Sequence, residues 1–283
     1  MALSIEEMHQ RILYPVVRIR HAKAGGSGTV IFSQPKPEDS EEYENYVLTN
    51  NHVIADLVTV KKQWDSVLKK NIDMEITAPC TVEVFSYVHL SKRDSGATFE
   101  GQVVAYDERH DLAIVRIETP TKMRYVAELF PKDQPRGLKL FTDIWTCGCS
   151  LGHEPVVNKG QLTSLTEQFE NLPYFMCNSH IIFGNSGGAA FLGETGQLIG
   201  VPSRVSVLPL GFSADIITWL GFLVPVSRVY QFMEEQELQF LYDSSQTSAE
   251  CFKRREERQE RARREAARDE EEAPAVVTDL QGV

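Results

Sequence analysis

From "YPVVRIRHA" to about Val126, short apolar and β-branched runs alternate with polar or glycine-bearing segments: "VVRIR", "GTVIF", "YVLTN", "TVEVFSYVHL", "GQVVAY" and "DLAIVRI". Runs of this kind read as strands, and their close spacing predicts an antiparallel barrel or sandwich. A second group follows: "LKLFTDIWTCGCS", "GQLTSLTE", "YFMCNSH", "GGAAFLG", "GQLIGVPSRV" and "TWLGFLVPV". Two successive groups of about six strands predict an all-β protein of two similar barrels side by side. No sequence repeat relates the two groups.

The ends of the chain have another texture. "SIEEMHQRI" places Ile5, Met8 and Ile12 at helical spacing behind Ser4, which predicts a short N-terminal helix. Beyond the second group, Phe232, Leu238 and Leu241 predict an amphipathic helix packed back on the barrels. "FKRREERQERARREAARDEEE" then sets Glu257–Arg261 and Glu260–Arg264 at i,i+4 without an apolar seam. That favours a solvated, partly frayed helix over a coiled coil. The expected organisation is a helix and lead-in strand over 1–23, a first barrel over 24–126 and a proline-bearing linker over 127–137. A second barrel over 138–226, a helical extension over 227–272 and a disordered tail over 273–283 complete it.

Composition narrows the function classes. Of the 283 residues 42% are hydrophobic and 24% charged, as in ordinary globular proteins, and the net charge of −11 argues against a nucleic-acid partner. The N-terminus has no basic start leading into an apolar run, and no stretch is apolar enough to span a membrane. Cys80, Cys147, Cys149, Cys177 and Cys251 are an odd set without framework spacing. A reducing, cytoplasmic setting is therefore expected, with no membrane partner and no cofactor.

"IFGNSGGAAF" sets Ser186 among Gly184, Gly187 and Gly188, a side-chain-poor corner with apolar flanks. A hydroxyl so placed is a candidate nucleophile, and the N–H groups of Gly184 and Ser186 are candidate donors to a developing oxyanion. It needs a base and a group to orient that base. His52, in "YVLTNNHVIAD", stands where an apolar strand gives way to polar residues. Asp111, in "DERHDLAIVRI", stands at the mouth of a strand apolar enough to be buried; Asp107, in a more polar turn, is the lesser candidate.

Taken in order, "GSGTVIF", "YVLTNNHVI", "DLAIVRI", "GNSGGAAF", "GQLIGV" and "GFLVPVSRV" resemble the landmarks of trypsin-like serine proteases, in particular the HtrA/Deg type with its TNNHV, DLA and GNSGG signatures. The resemblance runs from about residue 12 to 235. It implies two six-stranded, chymotrypsin-like barrels, with His52 and Asp111 on the first and Ser186 on the second. The implied activity is that of a serine endopeptidase acting on polypeptides: Ser186 attacks, His52 takes its proton, and Asp111 holds the imidazole. The implied oxyanion hole is the Gly184–Asn185–Ser186 turn. A homo-oligomer is compatible with the resemblance.

The departures matter too. Asn185 stands where pancreatic-type enzymes carry an aspartate that pairs with a newly cut N-terminus, so that route of activation is not expected. Phe183 replaces a usual proline. Residues 236–283 are too few for the PDZ domain typical of HtrA enzymes. By resemblance, His180 and Ile181 lie at the base of the specificity pocket, with Val201, Ser203 and Arg204 along one wall and Phe222 along another. Pro202 offers its carbonyl to the substrate N–H. Cys147, Cys149, Cys177 and His180 are residues of zinc-ligand type, but buried thiols acting as small apolar groups are the favoured reading, so no metal is expected. Two rival functions stay open: a catalytically silent scaffold on the same fold, and an interaction protein working through its charged C-terminal helix.

Overall fold

The computed structural model describes residues 3–36, 39, 41–65, 70–134, 137–210 and 213–272. The chain opens on a single helical turn, α1 (Ile5–Met8), closed by a capping box. The Ser4 hydroxyl accepts from the Glu7 N–H, and the Glu7 carboxylate accepts from the Ser4 N–H. A π-helical turn over His9–Leu13 then leads to the first strand.

The expected pair of barrels is present. The first half contains β1 (Val16–Arg20), β2 (Gly25–Pro35), β3 (Tyr43–Thr49), β4 (Val58–Asp65), β5 (Lys70–Thr77), β6 (Cys80–Val88), β7 (Lys92–Asp107) and β8 (Leu112–Ile117). Six of these close in the order β1-β2-β3-β8-β7-β6. Val17, Ile19, Val47, Val82 and Val115 fill the interior and are fully buried. Their branched side chains suit a pleated, enclosed surface.

β4 and β5 form a separate two-stranded sheet that the hydropathy pattern does not announce. Lys61-Lys62-Gln63 interrupts the alternation, and Val60, Trp64, Met74 and Ile76 stay exposed. This ribbon is held by backbone pairing between its own strands.

The second barrel closes as β10-β11-β14-β13-β12-β9. Its strands are β9 (Asp143–Gly148), β10 (Val156–Phe169), β11 (Leu172–Cys177), β12 (Ala189–Leu192), β13 (Leu198–Leu210) and β14 (Ser213–Pro225). Ile144, Leu162, Tyr174, Phe191 and Leu223 lie in its core. A lone parallel bridge from Leu129 to Leu198 ties the connecting segment to this barrel.

The helix expected to run through Leu241 is shorter. α2 (Asn51–Ile54) follows β3, and α3 (Val226–Glu235) follows β14. α3 stops because the Leu238 N–H turns back to the Met233 carbonyl at 2.7 Å and Glu237 adopts φ 54°. This is a C-terminal wrap of the kind usually built on glycine. Leu238 and Leu241 still reach the core, from the wrap and from a 3-10 turn over Gln239–Leu241.

The charged helix α4 (Ser248–Glu272) is not solvated along its whole length. Cys251 is buried, Phe252 packs on Phe240, and Arg255 donates to the Val104 carbonyl at 2.9 Å. Arg254 and Arg258 both pair with Glu237. The Glu260–Arg264 pair forms at 2.7 Å, whereas Arg261 turns to the backbone carbonyl of Glu257 and not to its carboxylate. The tail expected over 273–283 falls outside the described residues. No described helix is long and apolar enough to cross a membrane.

Candidate active site

β3 ends at Thr49, and the single turn of α2 that follows carries His52 to the protein surface. Each neighbour in "TNNHV" has a task. The Thr49 hydroxyl donates to the Ser27 carbonyl at 2.7 Å, and the Asn50 amide donates to the Asp111 backbone carbonyl at 2.8 Å. Asp111 sits just before β8 with φ 54°, a left-handed conformation that aspartate tolerates better than most residues. The turn thereby aims its carboxylate back at α2.

The Asp111 carboxylate lies 2.9 and 3.0 Å from His52 Nδ1 and also accepts from the His52 backbone N–H at 3.1 Å. Its second oxygen accepts from the Ser203 hydroxyl at 2.5 Å. Burial raises the carboxyl pKa, but the bonds from His52 and Ser203 outweigh it and hold the group below the usual carboxylate range. The sign follows from linkage: the stabilisation is complete above the unfolded carboxyl value of about 3.9 and is lost as pH falls through the lower folded value. The stability difference between wild type and Asp111→Asn is therefore expected to be constant near neutrality and to shrink below about pH 4. Urea titrations across that range check it.

Across the cleft, the nucleophile turn is held from several sides. Gly184 has φ 93°, and its carbonyl accepts from the Ser27 hydroxyl at 2.6 Å. The Phe183 carbonyl accepts from the Leu151 N–H at 2.7 Å, which turns it toward the Cys149–Gly152 segment. Asn185 is fully buried; its side-chain oxygen accepts from the Ile182 N–H at 3.1 Å and the Ser150 hydroxyl at 3.0 Å. The buried amide thus orders the turn without an ion pair. The Asn185 N–H is itself engaged by the Ile182 carbonyl, so it is not a free donor as expected from sequence. The N–H groups of Gly184 and Ser186 have no acceptor among the described residues.

Gly187 closes the barrels onto each other. A Cβ there would lie 2.2 Å from both the Ser27 carbonyl and the Thr49 hydroxyl, and φ is 82°. Gly187→Ala is expected to destabilise by about 3 kcal/mol or more, from strain and overpacking together. Its thermal midpoint should fall by roughly 5–10 °C in calorimetry.

The sequence-predicted pocket residues scatter. Ser203 turns to Asp111 and not to a pocket wall, and the Pro202 carbonyl accepts from the Gly187 N–H at 3.1 Å within the protein. Val201, Ile181 and Phe222 are buried, Ile181 against Gly221 and Phe222 against Phe169. Arg204 is exposed and lies over the Phe169 and Tyr174 rings. His180 is exposed, its Nδ1 3.0 Å from the Thr218 hydroxyl. The four residues of zinc-ligand type are not gathered. Cys149 bonds the Val17 carbonyl, and burial pushes the Cys149 and Cys177 thiols up to about 12.

A family model, the trypsin-like peptidase domain, matches residues 26–201, more than half of the chain. This protein belongs to the trypsin-like peptidase family. Among curated relatives of this trypsin-like peptidase, a probable periplasmic serine endoprotease DegP-like of Pseudomonas putida is 26% identical over 212 residues, 74% of this chain and 34% of its own length. A putative protease Do-like 14 of Arabidopsis thaliana is 26% identical over 228 residues, 76% of this chain and 42% of its own. The chain thus spans well under half of the curated relatives it matches. Among solved structures, Deg5 superposes with a TM-score of 0.54 at 22% identity, covering 81% of this chain and 94% of that one. An HtrA-type protease, the AlgW S227A variant with a tripeptide, gives a TM-score of 0.58 at 18% identity, covering 82% and 63%. These likenesses share the two-barrel fold.

Three participants carry little signal in the sequence. Ser27, Ser150 and Ser203 are lone hydroxyls in ordinary strand or turn contexts, and their partners lie far along the chain. Only the "GSG" around Ser27 hints at a backbone approaching closely.

Proposed function

We propose that this protein is a serine endopeptidase in which Ser186, His52 and Asp111 form a catalytic triad. The observation that carries the reading is the Asp111 carboxylate seated on His52 Nδ1 at 2.9–3.0 Å. That bond leaves Nε2 as the proton acceptor. It also places a negative charge where the imidazolium develops. His52 and Ser186 make no hydrogen bond to each other here; catalytic pairs often form theirs only when substrate arrives.

In the proposed reaction His52 takes the Ser186 proton as the oxygen adds to a peptide carbonyl. The carbonyl oxygen becomes an oxyanion facing the Gly184 and Ser186 N–H groups, and His52 then protonates the leaving amine. Water repeats the sequence to release the acyl group. His180 is proposed to meet the side chain before the scissile bond, with Ile181, Val201 and Phe222 as apolar backing and Arg204 at the margin. The relatives named serine endoproteases support the same class of reaction. A cytoplasmic setting, suggested by five unpaired cysteines, is part of the proposal, although several relatives carry periplasmic names.

Incubation with casein tests the reading. Fragments that are absent after treatment with a serine-directed phosphonate are expected. Intact casein at every pH between 5 and 9, with folded protein, would overturn it.

A further inference from the structure

The Ser186 turn is flanked on one side by β13, through Pro202 and Gly187, and on the other by the Cys149–Gly152 segment, through Gly184 and Phe183. Against that second side lies a cavity of about 340 Å³, open to solvent, between the two barrels. Its first-barrel wall is Arg18 to His21 with Gly25 and Gly26; its second-barrel wall is Cys149, Leu151 and Gly152 with Phe183 and Gly184. On the peptidase reading, an acyl half lying on the β13 side of the turn leaves the amine half of the substrate to this cavity.

Arg18 and Arg20 bring to this wall a charge cluster that extends behind it, unusual for a chain that carries −11 overall. Glu83, nearly buried, accepts from three guanidinium groups at once: Arg18, Arg20 at 3.1 Å and Arg93 at 3.3 Å. Arg93 also approaches Glu154 at 3.7 Å. Three cations thus face two carboxylates, an excess of one positive charge. Arg18 is largely buried, and its other nitrogen is bonded to the Gly152 carbonyl, so it bridges the barrels and is held in place. Arg20 stays half exposed, with donors left over after Glu83 is served.

We infer that this cavity is a leaving-group-side subsite that selects substrates with an acidic side chain one or two residues after the scissile bond, Arg20 receiving the carboxylate and Arg18 supplying the fixed charge behind it. The inference rests on the peptidase reading and names its substrate class. Glu83 occupies only part of the guanidinium cluster, so an incoming carboxylate gains charge-assisted hydrogen bonds without leaving an unpaired charge behind. The same segment that accepts the Arg18 bond, through Gly152, also holds the Phe183 carbonyl, through Leu151. Occupation of the cavity therefore bears on the ordered oxyanion turn.

The test uses N-acetylated, C-amidated peptides, so that the side chain supplies the only carboxylate. The scissile site is one mapped in casein, followed by Glu or Gln at the first or second position. The Glu peptide is expected to be cut with a kcat/KM about three- to tenfold higher, mainly through KM, and the ratio should shrink at high salt. Arg20→Gln should bring the ratio to about one. Equal rates for the two peptides, or a preference that survives Arg20→Gln, would overturn the inference. Peptide affinities of the Ser186→Ala protein, read by fluorescence anisotropy, separate the two levels. If nothing is cut, the peptidase reading fails; equal binding of Glu and Gln peptides then overturns this inference on its own account.

Discussion

Ser186→Ala is expected to lower kcat/KM for peptide hydrolysis by about four to six orders of magnitude while leaving the thermal midpoint almost unchanged. The size follows from role: without the hydroxyl there is no acyl-enzyme route, and only the oxyanion donors and substrate binding remain. The small change in stability follows from structure. The Ser186 hydroxyl has no hydrogen-bond partner among the described residues, so its removal orphans nothing. Progress curves with a fluorogenic peptide, set beside a thermal melt, measure both quantities. A variant retaining more than about a tenth of the activity would remove Ser186 from the chemistry. The rival scaffold reading predicts no activity in either protein.

Asp111→Asn is expected to cost about 10⁴-fold in kcat with little change in KM. The amide keeps the shape of the carboxylate, but it can no longer accept from both the His52 ring and its backbone N–H while also accepting from Ser203. An NH₂ aimed at Nδ1 favours the tautomer with its proton on Nε2, which cannot take one from Ser186. Ser203→Ala should show a smaller loss of the same kind, because the hydroxyl acts only through Asp111. Steady-state kinetics with the two variants in parallel check the order of these effects.

Much of this architecture was legible from the chain. Short apolar and β-branched runs between polar segments marked both barrels, because such residues suit a pleated, enclosed surface. Strand ends and a glycine cluster made His52, Asp111 and Ser186 candidates, and the resemblance to trypsin-like serine proteases supplied the roles expected of them. What the pattern missed depends on tertiary partners or on backbone geometry. The β4–β5 ribbon buries too little for alternation to persist. The end of α3 at Glu237 uses a left-handed residue without glycine or proline to mark it. Docking of α4 rests on arginines whose acceptors, Glu237 and the Val104 carbonyl, are not neighbours in helical register. The pocket positions were the least legible. The Ser203 hydroxyl is taken by Asp111, and the Pro202 carbonyl already accepts one hydrogen bond, from Gly187.

Asn185 shows how the two levels meet. Sequence indicated only that a charged activation pair was missing. In the folded chain its side-chain oxygen joins Ile182 to Ser150, while Ser27 and Leu151 hold the Gly184 and Phe183 carbonyls just before it. The turn is thus held by neutral hydrogen bonds supplied from both barrels.

The central claim is that three residues remote in the chain act as one proton-handling unit on the Ser186 oxygen. The direct measurement is the site of covalent capture by a fluorophosphonate probe, mapped by mass spectrometry of the digested adduct. A single adduct on Ser186, lost in His52→Ala protein that still melts cooperatively, is the predicted result. An unlabelled folded protein, an adduct on another residue, or labelling of Ser186 that persists undiminished in His52→Ala would contradict it.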